Sequence, residues 1–177
     1  MTALSDFSEQ DVELIVSLPY RVGLNVSYAD DEDGEQDDER EMAALEACLT
    51  AVVHKSEGLT KEVAEKTLAM NDKWESWGQG VFNIEPLCEQ ASAAVLRVAG
   101  KDVAKDYVKM VLEVASAVAQ AYGEFGEEEE PKGFFGKAMT RIISGYGSSD
   151  EPNHPMNISA AEDSAISRIS AALKSHI

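Results

Sequence analysis

The sequence predicts an all-α fold, a multi-helix bundle of about seven helices with internal pseudo-duplication, and three observations carry that prediction. Apolar residues recur at three- and four-residue spacing, most clearly in Val103, Tyr107, Met110, Val111, Val114, Val118 and Ala121. No segment alternates with the period of two that a half-buried strand requires. Capping signals punctuate the apolar runs, so helix starts are legible as well as helix faces.

The first helix opens at Ser8, an N-cap residue with Asp11 three positions on, and Phe7 is placed to pack on Val12 as a hydrophobic staple. It extends to about Ala29. Pro19 removes a backbone donor on the way, so a kink is expected there, or a break with Pro19 opening a second segment. Met42, Leu45, Cys48, Leu49, Val52 and Val53 form the apolar face of the next helix, with Asp38 and Glu41 spaced as its capping box. Val63, Thr67 and Met70 predict a helix over about 60–70. The segment from Trp74 to Phe82, with Gly78 and Gly80, reads as a loop anchored by two tryptophans that seal a core edge or line a pocket, the former being favoured. Pro86 suits the first turn of a helix over 87–98, and Gly100 ends it. The strongest helix follows over 102–122, then a short apolar one from Phe134 to Ile143. Turn-rich residues 145–157 lead to a last helix, capped by Ser159 and Glu162, that buries Ala165, Ile166, Ile169, Ala172 and Leu173.

A length of 177 residues with 44 % hydrophobic composition suits one all-helical domain, residues 1–177, with enough apolar surface for a core. Its net charge of −18 repels phosphate backbones and anionic headgroups, which disfavours nucleic acid and membrane surfaces as partners. Such a field attracts metal ions or basic protein surfaces, or serves solubility alone. Cys48 and Cys88 sit within apolar helical patterns and read as small buried hydrophobes in a reducing compartment. The N-terminal residues carry no basic, then apolar, leader pattern, and the stretch from Met110 to Ala121 is interrupted by Glu113 and Gln120, short of the roughly 20 apolar residues that span a bilayer. A cytoplasmic protein without membrane insertion is expected.

The most informative segment is acidic: residues 30–41 hold nine carboxylates, those of Asp30, Asp31, Glu32, Asp33, Glu35, Asp37, Asp38, Glu39 and Glu41. Hard divalent cations need several oxygen ligands converging at about 2.0–2.6 Å, and a short carboxylate-dense loop supplies them. Asp30, Asp31, Asp33 and Glu41 are the candidate ligands, because they bracket a loop clamped between two helices and Gly34 permits its turn. All-oxygen donors point to Ca²⁺ or Mg²⁺. The order is not that of an EF-hand, since Gly34 at the sixth loop position puts Ala29 first and Arg40 twelfth.

An internal repeat accompanies this loop, with units at about 8–56 and 102–175. Val22-Gly-Leu-Asn-Val26-Ser-Tyr-Ala29 superposes without gaps on Val114-Ala-Ser-Ala-Val118-Ala-Gln-Ala121, and Asp38-x-x-Glu41 matches Ser159-x-x-Glu162. Ala29-Asp30-Asp31 leading to Glu41, and Ala121-Tyr122-Gly123 leading to Glu162, resemble the TerB-like tellurite-resistance family. The resemblance implies an all-helical, duplicated fold that binds a divalent cation as a module of stress-response systems, and it adds Glu162 to the metal ligands. The second unit departs from the pattern, for Tyr122 stands where Asp is expected.

Enzyme signatures are thin, and a non-enzymatic module is expected. Glu151-Pro-Asn-His154 has the spacing of a helical metal pair, but Pro152 and Pro155 forbid a regular helix there. A second acidic run, 124–130, reads as a charged linker. Glu46, Glu89 and Glu113 would matter as paired carboxylates only if they faced inward together. The competing function is an acidic docking or decoy surface for a basic protein, without metal.

Overall fold

The computed structural model describes residues 2–29, 35–121 and 159–177. Among them stand seven α-helices: α1 (Glu9–Ser27), α2 (Glu35–Lys55), α3 (Gly58–Ala69), α4 (Trp74–Trp77), α5 (Glu85–Ala99), α6 (Lys101–Ala121) and α7 (Ala160–Lys174). Short 3₁₀ turns cover Leu4–Asp6 and Asn71–Lys73. The described residues contain no strand, and no helix among them is long and apolar enough to cross a membrane. The anticipated helix from Phe134 to Ile143 lies outside the described residues.

Helix α1 begins as its residues dictate, with the Ser8 hydroxyl accepting from the Asp11 backbone at 3.1 Å and Phe7 buried beneath. It does not break at Pro19. Proline has no N–H, so the Ile15 carbonyl loses the donor that a regular helix would supply four residues on. The Tyr107 hydroxyl of α6 donates to that carbonyl at 3.0 Å in the buried core. One position further, Val16 O accepts from the Thr67 hydroxyl of α3 at 2.7 Å. The proline is accommodated because two neighbouring helices deliver hydroxyls to this part of α1.

Helix α6 is the central element, packed on α1, α2, α3, α5 and α7. Its run of buried residues includes both apolar and small side chains, which lets several helices approach it. It runs parallel to α1: Tyr107 meets Ile15, and further along Val118 meets Gly23. Helix α2 opposes both, since Leu45 lies at Gly23 and Val118 while Cys48 lies by Glu113, earlier in α6. Gly23 makes this three-helix contact close. A Cβ there would stand 2.5 Å from Leu45 Cδ1 and 3.3 Å from Val118 Cγ2.

The segment after α3 runs alongside α1 in the same direction. Tyr20 stacks on Trp74 with ring centroids 4.7 Å apart, Leu24 lies against Gly78, Asn25 Nδ2 donates to Val81 O at 2.8 Å, and Tyr28 stacks on Phe82. The two tryptophans seal a core edge as anticipated, with Trp77 only 2 % exposed, but the first of them opens the single-turn helix α4 rather than a loop. Helix α5 starts with Pro86 in its first turn and ends at Gly100, whose φ of +85° is the left-handed region open to glycine. Helix α7 closes the bundle on α5, α6 and α1, with Ala165, Ile166, Ile169, Ala172 and Leu173 buried as the spacing predicts.

The start of α2 corrects the sequence reading. The helix begins at Glu35, so Asp38 is not its N-cap and Asp38-x-x-Glu41 is not a capping box. Acidic residues in a first helical turn are favoured by the positive pole of the helix, which lets the helix extend back into the charged run.

Candidate functional site

Glu41 occupies the seventh position of α2 and continues that helix's buried stripe, one turn ahead of Leu45 and two ahead of Cys48. It is 5 % exposed. Four residues of helix separate it from Leu45, about 6 Å along the axis. Because α2 runs opposite to α1 and α6, that step carries Glu41 past Gly23 and Val118 toward the C-terminal ends of both helices. Those ends carry the negative poles of their helices. A carboxylate buried in such surroundings is stabilised by positive charge brought to it.

Glu162 is also buried, at 3 % exposure, and its role is visible. Its Oε2 accepts from the Ser159 backbone N–H at 2.8 Å while its own N–H donates to the Ser159 hydroxyl at 3.2 Å. This is the capping box read from the sequence, and it commits one carboxylate oxygen to the start of α7. Glu41 and Glu162 were matched as repeat equivalents, yet one lies in the interior of its helix and the other in the first turn of its own. Asp30, Asp31 and Asp33 lie outside the described residues. Among the described residues no three His, Cys, Asp or Glu side chains converge as a metal-holding group.

The third buried carboxylate is Glu113 of α6, 8 % exposed, with Lys109 Nζ 3.9 Å from its Oε1. Burial holds its pKa above the ordinary carboxylate range, against the opposing pull of Lys109 and Lys55. Glu46 and Glu89, its partners in the paired-carboxylate alternative, are exposed, so the three do not face inward together. Burial likewise pushes both free thiols up to about 12, Cys48 with help from Glu113 and Cys88 with help from Glu85 and Glu89. They are inert packing residues in this state. His54 is exposed on the last turn of α2, and His154 with Glu151 lies outside the described residues.

No known protein family, curated protein or solved structure matches the chain. The site is therefore interpreted from its own residues. In the described residues, three carboxylates are buried, and two of them, Glu41 and Glu162, are among the five positions selected from the sequence. What sequence reasoning missed is the pair Tyr28 and Phe82, stacked and exposed beside the C-terminal end of α1. The available signal was an aromatic residue, Phe82, within the turn-forming run Gly78 to Asn83, where no apolar periodicity calls for one.

Proposed function

We propose that this chain is a non-enzymatic divalent-cation-binding module that takes Ca²⁺ or Mg²⁺ on Asp30, Asp31, Asp33 and Glu41, and that it serves as a stress-related, tellurite-resistance-like interaction module. The observation that carries the reading is the burial of Glu41 at the end of the acidic run. One end of the candidate ligand set is a carboxylate withdrawn from water on a helix, fixed in place by the packing of α2 on α6. Hard oxygen donors of this kind suit Ca²⁺ or Mg²⁺ and not the softer metals that thiolate or imidazole would select. Glu162 is assigned to its cap, which leaves one ligand cluster around Glu41. The stress-response assignment rests on the family resemblance.

Calorimetry and thermal unfolding with Ca²⁺ and with Mg²⁺ test this reading. A cation at a hundred times its Kd stabilises the folded state by about 2.7 kcal/mol. For a chain of this size that is a rise of roughly 5–10 °C in Tm. Combining Asp30→Asn with Glu41→Gln, changes that keep side-chain size, is expected to abolish the rise. Absence of saturable binding at millimolar Ca²⁺, Mg²⁺, Mn²⁺ or Zn²⁺ would refute the proposal, and salt-sensitive capture of a cationic protein by the metal-free chain would favour the docking alternative.

A further inference from the structure

We propose that the Tyr28–Phe82 pair, built from residues other than the candidate cation ligands, is a docking point for an arginine-bearing segment of a partner protein. Exposure is the first argument. Along the α1 face, aromatic and apolar contacts with residues 74–82 are buried until the end of the helix, where Tyr28 is 42 % and Phe82 77 % exposed. A ring that open contributes little to the core, and its position is nevertheless fixed. Val81 beside it is fully buried, Asn25 holds the Val81 carbonyl at 2.8 Å, and Tyr28 stacks on Phe82 with centroids 5.8 Å apart and planes 22° from parallel.

Electrostatics chooses the occupant. Tyr28 is the C-cap of α1, so the pair stands at the negative pole of that helix. The chain as a whole carries −18, which favours a cationic partner and disfavours a second copy of itself. Between the two basic side chains, the planar guanidinium is the better match for an exposed face of a stacked ring pair, since it stacks and carries charge at once, whereas an ammonium offers charge alone. The pairing is therefore specific for arginine rather than for positive charge.

Fluorescence anisotropy of a labelled arginine-rich peptide, and of a lysine peptide of equal length and charge, tests this on the full chain. Wild type is expected to bind the arginine peptide at least threefold more tightly than the lysine peptide. Phe82→Ala and Phe82→Leu should each weaken arginine-peptide binding by about fivefold, the equivalent of one exposed cation–π contact near 1 kcal/mol. The leucine variant keeps apolar area and loses the π face, and circular dichroism establishes that both variants remain helical. Equal affinity for the two peptides, or wild-type affinity in Phe82→Leu, overturns the proposal. So does Phe82-dependent dimerisation in sedimentation, which would assign the face to a second copy. Peptide binding is measured without added divalent cation, which separates failure here from failure of the cation site.

Discussion

Replacing Tyr107 by Phe removes one oxygen and should expose how α1 tolerates its proline. The Tyr107 hydroxyl is fully buried, and burial raises its pKa well above the ordinary phenol value, so it is a neutral donor at any physiological pH. It donates to Ile15 O, whose regular helical donor is missing because position 19 is proline. The variant strands that carbonyl in the core, at a cost of about 1–3 kcal/mol for an unsatisfied buried acceptor. Taking 2 kcal/mol, Tm falls by about 4–8 °C. The cause can be isolated with Pro19→Ala, which gives position 19 an N–H to donate to the same carbonyl. In that background Tyr107→Phe should cost less by about 1 kcal/mol, and the double-mutant cycle cancels the effect of proline on the unfolded chain. Urea unfolding of the four proteins measures it. A Tyr107→Phe cost that is negligible, or equal in both backgrounds, would refute the argument.

Other expectations follow from packing and charge. Gly23→Ala puts a methyl 2.5 Å from Leu45 Cδ1 and 3.3 Å from Val118 Cγ2, so the end of the fully buried Leu45 side chain must shift and the variant should lose roughly 1 kcal/mol despite alanine's better helix propensity, read as a lower urea midpoint. Glu113 has a folded pKa raised above its unfolded one by burial, so its contribution to stability is present below the unfolded pKa and lost as pH rises through the folded pKa. Wild type should gain on Glu113→Gln as pH is lowered from neutrality, in paired melting curves; a loss on acidification contradicts the assignment. Ser159→Ala removes the hydroxyl that accepts from Glu162 N and should cost about 1 kcal/mol by thermal unfolding. With both thiols held near 12, a thiol reagent at neutral pH should label Cys48 and Cys88 only at the rate of unfolding.

The parts of the fold that the sequence discloses are those governed by local rules. Ser8 and Ser159 announce their helices because capping is a matter of three or four residues, and the stripe from Val103 to Ala121 marks its buried face by spacing alone. The start of α2 is misplaced for an equally local reason. In a run where nearly every residue is Asp or Glu, any of several can pair as cap and third residue, so Asp38 and Glu41 look like a box although the helix starts at Glu35. Pro19 is ambiguous in sequence because the hydroxyls that relieve it, on Tyr107 and Thr67, are 88 and 48 positions away. Phe82 stands out in its turn-forming run, but its stack on Tyr28 is made by a register between α1 and residues 74–82 that no local rule gives.

The buried carboxylates sharpen which acidic residue matters for function. A buried carboxylate is costly unless something compensates it, and the buried carboxylates differ in where their helices place them. Glu162 accepts from Ser159 N and completes a cap, so a helix start accounts for its burial. Glu113 stands beside Lys109, whose charge opposes the rise that burial gives its pKa. Glu41 differs from both in its place on its helix. It lies in the interior of α2, where no helix end needs a cap, at the side of the bundle reached by the C-terminal ends of α1 and α6 and at the end of the acidic run. Glu41 continues the stripe of Leu45 and Leu49, so its replacement by leucine keeps the packing position while removing the proposed ligand. If Glu41 is a cation ligand as proposed, Glu41→Leu should remove the stabilisation that calcium confers, and a variant stabilised by calcium as much as the wild-type chain would refute the assignment.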